Sequence, residues 1–333
     1  MDLLSETLLT LKIKNMLIGT YNLSAPWGFS SEGVDFGFSF TVIENSCWIT
    51  PEGAEPIELK TGDSFIFPRG GRMSISSELG VEIRPVADVW NSDDIAFVGF
   101  DQYPPGAFSQ TTWGGGGDKA RLLSLIFEIE EQSRTGLFNA LPDYWVLRKG
   151  ESEEFHMIRS ALSTIAQEGS NTRPGEYAIK SHISEALLVS QIRAHVIQTD
   201  YSSGLLAAIK DPYLQNVLIA LHEKPQMRWT IDLMAQEACL SRTAFAKRFK
   251  KTLNETPMNY LHQHRLTLAA SKLKATHQNV ETIAREVGYV DGQHLRKHFL
   301  KAFETTPGSF RKRFGLLNSA TKNQNDPVSI VAG

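Results

Sequence analysis

The feature that most constrains the fold is an internal repeat in the last third of the chain. Residues 235–238 (AQEA) match residues 284–287 (AREV) at an offset of 49. Beyond them the offset is 50, and the equivalent pairs are Phe245 and Leu295, Phe249 and Phe299, Pro257 and Pro307, and Tyr260 and Phe310. The extra residue falls in a turn, where insertions are tolerated best. The chain therefore builds one small structural unit twice.

The first repeat predicts two helices joined by a tight turn. Residues 232–238 form the first helix, and Ser241 is the N-cap of the second. Phe245 and Phe249 are four residues apart, so they share one face of the second helix and point it toward a core. This pattern is typical of a helix-turn-helix motif.

The second repeat follows the same pattern with different residues. Residues 283–287 form its first helix. The helix ends at Gly288, because glycine readily adopts the left-handed backbone conformation that often terminates a helix. Asp291 caps the next helix, which buries Leu295 and Phe299. A linker helix over 258–276 joins the two repeats, and another helix begins at Asp211-Pro212.

Helical spacing identifies the side chains that face away from these buried positions. They are Arg242, Thr243, Ala246 and Lys247 in the first repeat and Gly292, Gln293, Arg296 and Lys297 in the second. Recognition helices place such residues in the major groove, where Arg suits guanine and Gln suits adenine. The cations better placed for phosphates are Lys250, Lys251, Lys301, Arg311 and Lys312.

The charge distribution supports a nucleic-acid partner for this part of the chain alone. Residues 208–315 hold 18 Lys and Arg against 9 Asp and Glu, a net charge of +9, whereas residues 1–207 carry −12. A polyanion is attracted to the first segment and repelled by the second. A basic helical domain with a purely structural role is the alternative, and the tandem motifs argue against it.

The repeat region also resembles a known family. The similarity is carried by residues 229–231 (WTI), 240–245 (LSRTAF), 256–261 (TPMNYL), 283–289 (IAREVGY), 299–303 (FLKAF) and 306–311 (TPGSFR). On these residues, 212–314 resembles the DNA-binding domain of AraC/XylS-type transcriptional regulators. The resemblance implies a bacterial regulator that binds double-stranded DNA and, if it is an activator, RNA polymerase. Residues 291–295 (DGQHL) depart from the family, which more often has a Ser-rich cap and a Phe there.

The N-terminal part has a different periodicity. Between Leu17 and Pro85, short alternating strands are separated by Gly and Pro turns, which predicts a small β-barrel or jelly roll. Residues 91–118 are expected to be a loop, and 121–130 a further strand. Helical periodicity follows over 153–168 and again over 175–198.

Four segments of this part resemble the AraC-type subgroup with an N-terminal cupin-type sensor. They are residues 25–28 (APWG), 59–63 (LKTGD), 114–117 (GGGG) and 204–212 (GLLAAIKDP). The resemblance implies a role in binding a small-molecule effector or in forming a homodimer. The predicted fold class is therefore α+β: a cupin-like β-barrel with flanking helices, followed by an all-α double helix-turn-helix domain.

A barrel could enclose a ligand or be filled by its own side chains. The candidate pocket residues are Trp27, Phe38, Trp48, Phe65, Arg69 and Arg84. Core packing is the alternative for each aromatic side chain. A protein partner for the barrel, rather than a small molecule, is a third interpretation.

An enzymatic barrel is the rival hypothesis, since many cupins are metalloenzymes such as isomerases or oxygenases. The nine histidines begin at His156, so residues 15–150 contain none of the ligands such a metal site uses. We therefore expect no metal, no cofactor and no enzymatic activity. Only two cysteines, Cys47 and Cys239, are present, which fits a reducing cytoplasm, and no membrane-spanning segment is expected.

The expected domain organisation follows from these patterns. Residues 1–200 form the sensor or dimerisation domain with its linker helices, and 201–211 form a linker. The double helix-turn-helix domain covers 212–315, and 316–333 is a polar, disordered tail. The predicted function is sequence-specific transcription regulation, with activation favoured by the family resemblance.

Overall fold

The computed structural model describes residues 3–9, 11, 13–34, 36–91, 108–130, 137–150, 160 and 174–314. The chain groups into two compact units, and the division falls between Asp200 and Tyr201. The helix predicted over 153–168 and the tail predicted over 316–333 lie outside the described residues, apart from Ser160.

The N-terminal unit is built on two β-sheets. Its strands are β1 (Ile13–Ser24), β2 (Gly28–Glu32), β3 (Gly37–Glu44), β4 (Ser46–Pro51), β5 (Ile57–Lys60), β6 (Ser64–Phe67), β7 (Arg72–Ser76), β8 (Arg84–Pro85), β9 (Phe108–Gly114), β10 (Lys119–Ile129) and β11 (Trp145–Leu147). One sheet has the order β11-β6-β3-β10-β1-β9, and the other has β5-β4-β7-β2-β8. The β-rich N-terminal half predicted from alternation is confirmed.

Helices α1 (Leu3–Leu9), α2 (Val86–Asn91), α3 (Leu137–Ala140) and α4 (Glu176–Gln198) accompany these strands. The long helix α4 matches the prediction over 175–198. It packs against the sheet through Leu187, which lies in a buried cluster with Ile18 and Leu123. One face of the six-stranded sheet therefore packs against α4, and its other face packs against the aromatic core.

The expectation of a loop over 91–118 is wrong for its C-terminal part. Residues 108–114 form β9, which pairs parallel with β1 from Ile18 to Ser24. The sequence predicted a loop here because glycines follow the segment and its alternation of apolar and polar residues is weak. Its strand character comes from hydrogen bonds to β1, a partner about ninety residues away in sequence.

Residues from both sheets meet in one aromatic core. Phe29 and Phe65 are fully buried there. Phe29 stacks on Tyr21 with ring centroids 5.5 Å apart, and Phe38 contacts Phe67 at 5.0 Å. Burial of this many rings supplies the main driving force for closing the two sheets.

The C-terminal unit is helical throughout its described elements. They are α5 (Leu205–Lys210), α6 (Pro212–Glu223), α7 (Ile231–Glu237), α8 (Arg242–Leu253), α9 (Pro257–Ala275), α10 (Val280–Glu286), α11 (Gly292–Phe303) and α12 (Pro307–Phe314). The predicted α+β class, with a β-rich unit followed by an all-α unit, is confirmed.

The linker predicted over 201–211 contains the helix α5. Leu206 and Ile209 of this helix are buried, and Gly204 donates its N–H to the carbonyl of Thr252 in α8. Asp211 then caps α6 and also accepts a hydrogen bond from Arg248 Nε at 2.7 Å. These contacts tie the start of the helical unit to α8.

Candidate nucleic-acid interface

The first helix-turn-helix motif consists of α7 and α8. Ser241 caps α8, with its hydroxyl accepting the N–H of Ala244 at 3.3 Å, as predicted. Phe245 and Phe249 are completely buried, and their rings meet edge to face at 5.5 Å. The turn before the cap contains Cys239 in a left-handed conformation (φ 51°). The apolar face of α8 is therefore the one that the sequence predicted.

The second motif consists of α10 and α11 and repeats this geometry. Asp291 caps α11 by accepting the N–H of His294 at 2.7 Å, and Leu295 and Phe299 are completely buried. Gly288 has a positive φ of 93°, and a Cβ there would lie 2.5 Å from the carbonyl oxygen of Pro225. The predicted cap, core pair and glycine exit are all present.

Most of the predicted readout positions lie on exposed surface. In α8, Arg242, Thr243 and Lys247 are exposed, and Ala246 is half-buried. In α11, the side chains of Gln293, Arg296 and Lys297 are exposed. Each of these two helices therefore exposes its own set of polar groups, as a helix that reads a major groove requires.

Gly292 is the exception and corrects the prediction. It is buried, and its N–H donates to Glu281 Oε2 at 2.7 Å. A Cβ at this position would lie 2.8 Å from the same carboxylate oxygen. Helical spacing located Gly292 on the outer face, but the side chain of Glu281 in α10 covers the N-terminus of α11, so Gly292 does not lie on the exposed surface.

His294 is a candidate contact that the sequence analysis missed. It is exposed in the first turn of α11, and its ring lies 3.4 Å from an Asp291 carboxylate oxygen. First-turn side chains of a recognition helix come closest to base edges. His294 is the third residue after the predicted cap Asp291, so the cap already indicated that it lies in the first turn of the helix.

The predicted phosphate ligands divide into two groups. Lys250, Lys251, Lys301 and Lys312 have exposed side chains. Arg311 does not fit the prediction, because its guanidinium donates to the carbonyl oxygens of Leu273 and Gln278. Those carbonyls lie at and beyond the end of α9, so Arg311 anchors α12 to that helix end.

Buried imidazoles support the two motifs without adding charge. His222 of α6 and His264 of α9 stack with ring centroids 4.2 Å apart. Burial lowers the pKa of His222 to about 3, with repulsion from His264 adding to the effect, and burial lowers the pKa of His264 to about 4. Burial and neighbouring cations also lower the pKa values of His262 in α9 and His298 in α11.

The N-terminal unit has a pocket of about 400 Å³ at one end of its strands. It is lined by Pro26, Trp27, Gly28, Val81, Glu82, Arg84, Trp113, Gly114 and Gly115. Two of the predicted pocket residues, Trp27 and Arg84, lie here. The indole N–H of Trp27 is buried and has no acceptor, and Arg84 pairs with Glu82 at 3.2 Å.

The other predicted pocket aromatics do not line this cavity. Phe38 and Phe65 are buried within the aromatic core, where Phe65 stacks on Tyr144 at 5.4 Å. Trp48 is only half-buried. Side chains of β4 point alternately to its two faces, and Trp48 lies on the opposite face from the buried Cys47 and Ile49. Core packing, the alternative interpretation, holds for Phe38 and Phe65.

Arg69 is also not available to a ligand in the way predicted. Its guanidinium donates to the carbonyls of Phe138 and Leu141 at 3.0 Å and pairs with Asp143 at 2.9 Å. It therefore holds the segment around α3. These partners lie about seventy residues away in sequence, so only the fold shows them.

Neither a metal cluster nor a reactive thiol lies in the described part of the N-terminal unit. Within the described ranges, no three His, Cys, Asp or Glu side chains are grouped to hold a metal ion. Burial, with a smaller contribution from Asp63, raises the pKa of the Cys47 thiol to about 12. Cys47 therefore stays protonated at neutral pH and behaves as a small apolar residue.

Two family models match this chain, and together they cover both units. A cupin model matches residues 2–197, which is more than half of the chain, and a helix-turn-helix domain model matches residues 234–313. The chain belongs to the AraC-type transcriptional regulators that carry an N-terminal cupin domain. It is thus a DNA-binding transcription regulator, as its sequence predicted.

Two relatives of this AraC-type regulator match along most of its length, and a third matches about half of it. It is 27% identical to the HTH-type transcriptional regulator AlkR of Acinetobacter baylyi, over 86% of this chain and 91% of that protein. It is 27% identical to an AraC-like transcription regulator of Streptomyces lividans, over 94% and 98%. The RCS-specific transcriptional activator RclR of Escherichia coli is 30% identical over 49% of this chain and 57% of that protein.

None of the helices that the structure describes is both long enough and apolar enough to cross a bilayer.

Proposed function

We propose that this regulator activates transcription from an asymmetric operator. One subunit inserts α8 and α11 into successive major-groove segments, about one helical turn apart. The observation that carries the proposal is that two capped helices at equivalent positions expose different side chains. Arg242, Thr243 and Lys247 are exposed on one, and Gln293 and Arg296 on the other.

The exposed residues suggest a division of roles. Arg242 and Arg296 read guanine, Gln293 reads adenine, and Thr243, Lys247 and Lys297 add further base-edge contacts. Ala246 offers an apolar contact to a thymine methyl group. The phosphate ligands are Lys250, Lys251, Lys301 and Lys312.

Selection of preferred sequences from a random duplex library tests the asymmetry. We expect one subunit to select a site without internal two-fold symmetry, and Arg296→Ala to relax preference at one position only. A palindromic consensus read by one subunit, or an unchanged preference in Arg296→Ala, would contradict the assignment. Adding purified RNA polymerase in an in vitro transcription assay then distinguishes activation from repression.

Activation is supported by the name of one relative. RclR of Escherichia coli, which matches about half of this chain, is described as a transcriptional activator. An activator at such an operator has RNA polymerase as its second partner. A repressor would instead lower transcript yield in the same assay.

The N-terminal unit, residues 1–200, carries the control of this activity in our proposal. Its pocket lies within the usual size range of small-molecule sites and is lined by aromatic rings with a few polar groups. Arg84, which lines the pocket and is exposed, favours an anionic ligand. Ligand binding would shift the balance between DNA-competent and incompetent states.

Thermal unfolding of the full-length protein against a panel of small carboxylates tests the pocket. A true effector raises the unfolding temperature of wild type, and Trp27→Phe and Arg84→Ala weaken the response. Lys14→Ala, which removes an exposed cation from β1, is the matched control. Sedimentation with and without the effector measures whether residues 1–200 also form a homodimer.

A further inference from the structure

The two motifs carry an acidic residue at the same place but use it differently. Asp232 is the second residue of α7, and Glu281 is the second residue of α10, 49 positions later. Each side chain reaches the first residue of the recognition helix in its own motif. That residue is Arg242 in α8 and Gly292 in α11.

In the first motif the carboxylate holds a side chain. Asp232 Oδ2 lies 3.1 Å from Arg242 Nη1, and Oδ1 lies 3.4 Å from the same nitrogen. The pair is well exposed, with 64% of the Arg242 side chain accessible. Only Nη1 is engaged in these bonds, so Nε and Nη2 remain as donors for a base.

In the second motif the carboxylate holds the backbone instead. Glu281 Oε2 accepts the N–H of Gly292 at 2.7 Å, and its other oxygen pairs with Arg285 Nη2 at 3.2 Å. The added methylene of Glu brings the carboxylate to the helix N-terminus, where an anion is favoured. Gly292 is buried there, and a Cβ at this position would lie 2.8 Å from Oε2, so a side chain would fit only if the Glu281 carboxylate moved.

We propose that Asp232 and Glu281 are positioning residues that make the two motifs read DNA differently. Asp232 orients the guanidinium of Arg242 toward a guanine, because one tethered nitrogen reduces the freedom of a long side chain. Glu281 fixes the N-terminus of α11, whose first residue, Gly292, has no side chain to offer. Readout by α11 therefore begins at Gln293 and His294. This inference depends on the proposed DNA-reading role of both helices.

Sequence selection with full-length variants tests the role of Asp232. Glu237→Ala is the matched control, because Glu237 is an exposed acid on the same helix α7. Removing either acid raises affinity for all duplexes alike, through reduced repulsion of phosphates. Asp232→Ala alone also lowers the preference for one guanine, by about three- to tenfold, as part of the discrimination that a bidentate Arg provides.

Two variants separate positioning by Glu281 from a contribution to folding. Glu281→Gln keeps an oxygen acceptor for Gly292 and should retain the wild-type preferences. Glu281→Ala should weaken preferences only in the half of the operator that α11 reads, by about three- to tenfold, with the other half unchanged.

The outcomes distinguish this inference from the proposed function. If wild type selects no sequence at all, the proposed function fails, and this inference fails with it. If wild type selects an asymmetric site but Asp232→Ala and Glu281→Ala leave every preference unchanged, the positioning role alone is refuted. An equal loss in both halves of the site, with a lower unfolding temperature, would also refute it, because the residues would then act on stability only.

Discussion

His222 and His264 lie face to face between α6 and α9, and their burial makes the stability of the helical unit depend on pH. The ring planes are 6° apart, and His222 bonds to the hydroxyl of Tyr260 at 2.9 Å. The Nε2 atom of His264 is buried without a partner. A proton on either ring would therefore place a poorly compensated charge in the interface.

The size of the effect follows from the lowered pKa values, about 3 for His222 and about 4 for His264, against 6.5 in an unfolded chain. Because the folded state binds fewer protons, stability is complete above pH 6.5 and is lost as the pH falls toward 4. At pH 5 each imidazole costs about 2 kcal/mol. After allowance for partial solvent screening, the pair costs roughly 3 kcal/mol.

Hydrogen exchange of the full-length protein at pH 7.5 and 5.0 measures this cost in α6 and α9, after correction for intrinsic exchange rates. We expect protection to fall by roughly 3 kcal/mol in wild type and by about half of that in His264→Phe, which keeps a stacked ring. His277→Gln, at an exposed position, is the control and should behave like wild type. Equal losses in wild type and His264→Phe would refute the reasoning.

Three further predictions concern the backbone, the phosphate contacts and the thiols. Gly288→Ala should destabilise the helical unit by about 1–3 kcal/mol, measured by urea denaturation, because the substitution combines a positive φ with a steric clash. Lys301→Ala should reduce the salt dependence of DNA binding by about one unit of slope, whereas Arg311→Ala should lower thermal stability, because Arg311 bonds to backbone carbonyls. In the native protein Cys239, which is exposed, should react with iodoacetamide, whereas Cys47 should react only after unfolding; equal rates would contradict the burial of Cys47.

Local sequence signals predicted the helical unit well because they act over short distances. A cap such as Ser241 and a core pair such as Phe245 and Phe249 lie within one or two helical turns. Their hydrogen bonds and shared face are properties of the helix itself, and the repeat shows each of them twice. The N-termini of α8 and α11 therefore needed no knowledge of the rest of the fold.

Where the predictions failed, a partner distant in sequence was responsible. Gly292 lies on the outer side by helical spacing, but Glu281 of the preceding helix covers it. Arg311 has the positive charge of a phosphate ligand, but its guanidinium donates to backbone carbonyls at the end of α9. Arg69 similarly bonds to carbonyls about seventy residues away.

The sequence alone determined that a β-rich domain is followed in the chain by a basic double helix-turn-helix unit. The repeats, the helix caps and the charge distribution are all properties of the linear sequence. Tertiary structure decided which of the outward-facing residues are exposed and which hold helices together. It also decided that Phe38 and Phe65 fill the core while Trp27 and Arg84 line a pocket. The physical reason is that a hydrogen bond or a contact depends on distance in space, which periodicity does not specify.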